Sequence, residues 1–280
     1  MAKRPSLFLW NRAQALAEPL PPLHLRAERV AAALSPGRHG RRRSGPGDDF
    51  WQFRPYQPGE PVQSMDWRQS AKSDGLFLRE KEWAASQTVW LWADSSPSMI
   101  WRSRPDLPEK LEQARLLALA LAALLLRGGE RVGALGLDRT SSALPRLQED
   151  LEAAPAALPA LLPPQSEAVL ISDFLFPLDA LKARLTAAPV RGHLLHLLDP
   201  AEEALPYQGR LRLAGLEGEG EMLLPRAEDY REAYAARLAE HRAALGRIAA
   251  QAGWSLTSAS TIQPPETVLA ALFPKLEGRC

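Results

Sequence analysis

The chain has 280 residues, 46% of them hydrophobic, so it can bury a sizeable core and sits near the upper limit for one compact domain. Its 34 Lys and Arg nearly balance 33 Asp and Glu, which argues against binding nucleic acid or a membrane through bulk charge. Its single cysteine, Cys280, excludes a disulfide framework or a cysteine-based zinc site within one chain.

The N-terminus, "MAKRPSLFLWNRAQALAEPLPP", has a basic start but no sustained apolar core before a cleavage site, so no signal peptide is expected. Gly and Pro punctuate residues 1–75 too often for long helices, apart from one expected around 25–34. This part reads as an N-terminal extension of turns and short strands. Its "GRHGRRRSGPGDD" run lacks interleaved aromatics and is followed at once by Asp48 and Asp49, so a solvated loop is expected rather than a nucleic-acid site.

From Leu76 to the C-terminus, strands and helices alternate. "LFLREKEW" (76–83) reads as a strand, and "TVWLWAD" (88–94) as a central strand apolar on both faces. Residues 108–127 form a helix, with Pro108 suited to its first turn and Gly128-Gly129 as its stop. Its apolar run, Leu116 to Leu126, has eleven residues, where a membrane span needs about 20; a buried helix in a soluble, cytoplasmic protein is expected. Strands follow at 131–138, 167–174 and 190–199, with helices near 147–162 and 178–188 between them. Residues 200–225 have hairpin character, and a long helix over 228–252 carries Tyr230, Tyr234, Leu238, Leu245, Ile248 and Ala252 on one stripe. A last strand (254–260) and a closing helix complete the pattern. The expected fold is α/β, a mostly parallel sheet covered by helices on both faces.

In such sheets ligands bind outside the carboxyl ends of the strands. Two strands end in acid plus hydroxyl: Asp94 with Ser96 and Ser98, and Ser172-Asp173. Hard oxygens of this kind suit Mg2+, and Asp-x-Ser-x-Ser lets alternate residues of one loop point at one ion. The same residues also make turns and cap helices, and spacing alone leaves both readings open.

Asp94-Ser95-Ser96-Pro97-Ser98 resembles the Asp-x-Ser-x-Ser signature of von Willebrand factor A (vWA) domains. The preceding block, "GPGDDFWQFRPYQPGEPVQSMDWRQSAKSDGLFLREKEW" (45–83), resembles the hallmark of the DUF58 family through Arg54, Tyr56, Pro58, Gly59, Asp66, Trp67, Arg68, Ser70, Ala71 and Arg79, with Glu60 where the family has Asp. The resemblance implies a vWA-like domain over 76–280 with a metal-ion-dependent adhesion site. Its ligands would be Asp94, Ser96, Ser98 and Asp173, holding Mg2+ or another divalent cation that a partner's carboxylate completes. It departs from the pattern in the second loop, where no Thr occurs from 141 to 185 and Thr140 comes too soon after its strand. Arg54, Arg68 and Arg79 beside Glu60 and Asp66 would lock the extension to the core by ion pairs or present a docking surface. The family further implies a MoxR-type AAA+ ATPase as partner, and a role as adaptor in chaperone-like maturation of client proteins.

A catalytic reading finds no Gly-x-Ser-x-Gly elbow, no phosphate-binding Gly-Lys-Ser/Thr loop and no Gly-x-Gly-x-x-Gly after a strand. His193 and His196 lie three apart on a strand, so they face opposite sides and cannot clamp one ion. A non-enzymatic binding module is therefore expected. Its rivals are a metal-free scaffold of the same fold and a Mg2+-dependent hydrolase.

Overall fold

In a computed structural model, which describes residues 9–23, 50–56, 67–71, 76–81, 87–159, 163–164, 166–187 and 190–277, the chain divides into two units. One is Arg26–Ser86 and the other is Met1–Leu25 with Gln87–Cys280.

Within the smaller unit, β1 (Phe50–Pro55) pairs antiparallel with β2 (Phe77–Lys81), with a register shift between Phe50 and Gln52. The strand expected at 76–83 is thus β2, joined to β1. The short helix α2 (Trp67–Ser70) leads back toward β2, and the Ser70 hydroxyl accepts from the Phe77 amide at 2.9 Å. Of the family-like residues, Arg54 lies on β1, Tyr56 just after it, Trp67 and the exposed Arg68 on α2, and Arg79 on β2 opposite Phe53. Gly59, Glu60 and Asp66 lie outside the described residues, as do the helix expected at 25–34 and the basic run.

The larger unit is built on six strands: β3 (Thr88–Ala93), β4 (Arg131–Ala134), β5 (Thr140–Ser141), β6 (Glu167–Ser172), β7 (Arg191–Leu198) and, after the hairpin β8 (Leu211–Ala214) and β9 (Glu221–Leu224), β10 (Ser255–Ser260). The order is β10-β7-β6-β3-β4-β5. All neighbours are parallel except β4 and β5. This is the mostly parallel α/β sheet expected.

Side chains alternate across a strand, and the two faces are covered by different helices. Val89, Leu91, Ala93, Val169, Ile171, Leu195 and Leu197 join one core with α1 (Leu9–Ala17), α3 (Lys110–Arg127), α4 (Leu144–Ala153) and α8 (Pro265–Glu277). Trp90, Trp92, Ala168, Leu170 and Leu194 face the other core, with α5 (Leu178–Ala187) and α7 (Arg231–Gln251). α3 is all strong helix formers, purely Leu and Ala from Leu116 to Leu126, and every residue from Leu116 to Leu125 is buried. Each such leucine contributes about 1.5–3 kcal/mol of burial. Among the described residues no helix is long and apolar enough to cross a membrane.

α1 corrects the reading of the first 75 residues as turns and short strands. Leu9, Ala13 and Ala17, at helical spacing, are buried in the α3 core. The segment after it is fastened by the Leu23 amide on the Leu124 carbonyl at 3.1 Å. Gly128 permits that approach, since a Cβ there would lie 2.0 Å from the Leu23 carbonyl oxygen. On α7, Leu238, Leu245 and Ala249 are buried. Tyr230 is exposed, because the chain before Arg231 is a separate turn, Ala227–Tyr230.

Candidate functional site at the carboxyl ends of the strands

Counted within the sheet from the β5 edge, the strand order is the 3-2-1-4-5-6 of a doubly wound sheet, so connections diverge between β3 and β6. At such a switch point the loops leave in opposite directions and open a crevice. Asp94 follows β3 there, and Ser172-Asp173 end β6.

The Asp94 amide continues the ladder onto the Ile171 carbonyl at 2.9 Å. Its side chain, 2% exposed, is held at both oxygens. Oδ1 accepts from the Ser96 amide at 2.8 Å and Oδ2 from the Ser172 hydroxyl at 2.6 Å. The chain then makes a single turn, Pro97–Met99, with Met99 buried as its anchor. The Ser96 and Ser98 hydroxyls are left half-buried with their oxygens 3.1 Å apart. Burial raises the Asp94 carboxyl above its ordinary value, opposed by the hydrogen bonds from Ser172 and Ser96.

Asp173 is engaged differently. Its Oδ1 accepts from the Leu175 amide at 3.2 Å, and its Oδ2 accepts from the Lys110 ammonium at 2.8 Å. Lys110 is wholly buried and donates also to Glu202 Oε1 at 2.5 Å. Burial raises the Glu202 carboxyl, opposed first by the attraction of Lys110. Glu202 stands on α6 (Pro200–Ala204), which opens on a reciprocal capping box: the Asp199 side chain accepts from the Ala201 amide and Glu202 accepts from the Asp199 amide. The other Asp199 oxygen accepts from the Ser103 amide at 2.9 Å. Lys110, Asp173, Asp199 and Glu202 thus tie together the loops after β3, β6 and β7. Phe174, beside them, is buried in a left-handed conformation at φ 49°.

Two further segments reach this end. Thr261 follows β10 and bonds its amide to the Leu198 carbonyl at 2.8 Å; its buried hydroxyl has no hydrogen-bond partner among the described residues. The tip of the β8–β9 hairpin brings Glu217 Oε1 to the Ser98 amide at 3.3 Å.

The structure therefore gathers Asp94, Ser96 and Ser98 in one loop and joins them to Asp173 through Ser172. As a ligand set for Mg2+ the group is short. It offers one carboxylate with both oxygens already accepting, two hydroxyls, and a second carboxylate facing an ammonium. Thr140 is exposed on edge strand β5, with β4 between it and β3. Among the described residues no three His, Cys, Asp or Glu side chains are gathered to hold a metal.

Lys110, Asp199, Glu202 and Glu217 were not singled out as site residues by the sequence. Lys110 did carry a signal: a lysine opening a helix opposes the helix dipole, and the Asp-x-x-Glu of 199–202 is a capping-box pattern. His193 and His196 face opposite sides of the sheet, as the spacing requires. His193 Nδ1 lies 2.6 Å from the Ser255 hydroxyl, and the His196 ring packs 6.0 Å from that of His241. Desolvation pushes His193 down to about 3 and His196 to about 4.

Two curated relatives, "Uncharacterized protein Mb1516" of Mycobacterium bovis and "Uncharacterized protein Rv1480" of Mycobacterium tuberculosis, are each 28% identical over 242 residues, covering 78% of this chain and 76% of theirs. No solved structure matches the chain. Residues 52–150 and 142–244, spanning both units, match the family described as "Protein of unknown function DUF58", and the chain belongs to that family.

Proposed function

We propose that this chain is a non-enzymatic protein-interaction adaptor of the vWA-like kind, working in the cytoplasm, which receives an acidic side chain of its partner on the loops after β3 and β6. The observation that carries the reading is Glu217. A carboxylate already rests on the Ser98 amide, beside the Ser96 and Ser98 hydroxyls, so this loop accepts the group that a partner's Asp or Glu would present. Three loops at the same end of the sheet add exposed apolar side chains: Ile100 after β3, Leu175 after β6 and Ile262 after β10. A polar centre with apolar side chains nearby suits protein recognition. The family resemblance suggests a MoxR-type AAA+ ATPase as the partner, with ATP chemistry left to that protein and a client recognised through the adaptor.

The test is affinity capture of the purified ATPase by the intact tagged chain, wild type against a double variant Ile100→Glu, Leu175→Glu. The reading expects capture by wild type and its loss, at least tenfold, in the double variant. Equal capture by both chains would move the contact elsewhere on the molecule, and no capture by either would remove the ATPase as partner. The resemblance also suggests a divalent cation on Asp94, Ser96, Ser98 and Asp173, of which Asp173 is engaged by Lys110.

A further inference from the structure

We infer that the Lys110 ammonium is the built-in cation of this face, and that the loops after β3, β6 and β7 hold their arrangement without a divalent metal. Lysine is almost never fully buried unless paired, and at the start of a helix its charge is opposed by the dipole. Lys110 occupies that place at 0% exposure. What offsets the cost is a pair of carboxylates, Asp173 at 2.8 Å and Glu202 at 2.5 Å. Their remaining oxygens are engaged too: Asp173 Oδ1 accepts from the Leu175 amide and Glu202 Oε2 from the Asp199 amide.

The ammonium therefore does what a bound ion does in a ligand cluster. It balances the charge of the Asp173 and Glu202 carboxylates, and it cross-links segments 63 and 92 residues away in the chain. A divalent ion using Asp173 would have to displace Lys110 or sit beside a like charge in a poorly solvated place, where repulsion is strong. Asp94, in turn, is satisfied by hydrogen bonds from Ser172 and Ser96. The inference concerns the isolated chain, so it stands or falls apart from the adaptor reading.

The experiment is a Mn2+ titration of the intact wild-type chain followed by electron paramagnetic resonance, with thermal unfolding in Mg2+ and in EDTA for wild type, Lys110→Met and Asp94→Ala. Wild type is expected to show no saturable Mn2+ site below the millimolar range and the same Tm in Mg2+ and EDTA. Lys110→Met is expected to unfold more than about 5 °C lower, and Mg2+ is expected to recover part of that loss, because Asp173 Oδ2 and Glu202 Oε1 are then two hard carboxylate oxygens without the ammonium. A one-to-one micromolar Mn2+ site in wild type that Asp94→Ala abolishes would overturn the inference. So would a Lys110→Met chain as stable as wild type. If Lys110→Met does not fold, the wild-type Mn2+ titration decides alone.

Discussion

Lowering the pH from 7.5 to 5 is predicted to weaken the fold through two histidines on opposite faces of β7. His193 and His196 are both fully buried. Desolvation is the first cause of their depressed values, about 3 and about 4. Lys275 adds to it at His193; Arg242 and His241 add to it at His196, where Asp173 pulls the other way. A histidine depressed in the folded state stays neutral there while the unfolded chain takes up protons below its ordinary 6.5. Its contribution is present above 6.5 and lost as pH falls. At pH 5 each folded ring is still neutral, so the loss is set by the unfolded histidine alone, about 2 kcal/mol per residue and about 4 kcal/mol for both. Asp94 and Glu202, raised in the folded state, act in the opposite sense as pH falls, so the measurement must be a difference. Urea unfolding at both pH values, wild type against His196→Leu, isolates one histidine. The variant should lose about 2 kcal/mol less than wild type between pH 7.5 and 5. Equal losses in the two chains would show that His196 takes up its proton in the folded state, and the reasoning from burial would fail.

Gly192→Ala would place a Cβ 2.1 Å from the Ala168 carbonyl oxygen and 2.6 Å from the Trp254 ring. It should cost at least about 1–3 kcal/mol in urea unfolding by forcing β6 and β7 apart. Asp199→Ala removes the cap of α6 and the acceptor for the Ser103 amide; a loss of about 1–3 kcal/mol is expected in the same assay. Arg212→Gln breaks an exposed cross-strand pair with Glu221 on the hairpin and should change stability by less than about 0.5 kcal/mol. Gly128→Ala should loosen α1 without unfolding the sheet, seen as faster hydrogen exchange over Leu9–Leu23 while the amides of β3 and β6 stay protected.

The sheet was legible because β3, β6 and β7 are buried on both faces and therefore read as apolar, β-favouring runs bounded by polar loops. The hairpin and α7 were legible from turn residues and helical spacing. α1 was passed over because its Leu9, Ala13 and Ala17 stripe is short and runs straight into "EPLPP", which favours turns. Asp94, Ser96 and Ser98 could be read together since one loop carries all three. Lys110 could not be assigned its partners in the same way. Asp173 and Glu202 lie far along the chain, and only the order of the sheet brings their loops to the start of α3. The same holds for Glu217, which meets Ser98 only after the hairpin has folded back across the sheet's end.

α1 packs in one core with α3, yet the chain between them includes a separate unit, Arg26–Ser86. The apolar stripe of α1 therefore leaves the ribosome before α3, the helix it packs on, which is complete only when Arg127 has been added, about 110 residues later. At about 5–20 residues per second that delay is roughly 6–20 s, during which Leu9 and Leu16 are open to a chaperone. The same topology means that α1 is held in the finished protein by packing and by the Leu23–Leu124 hydrogen bond, as well as by its peptide linkage. A single proteolytic nick within 26–86 would then yield two fragments that travel together through native chromatography and separate only in denaturant.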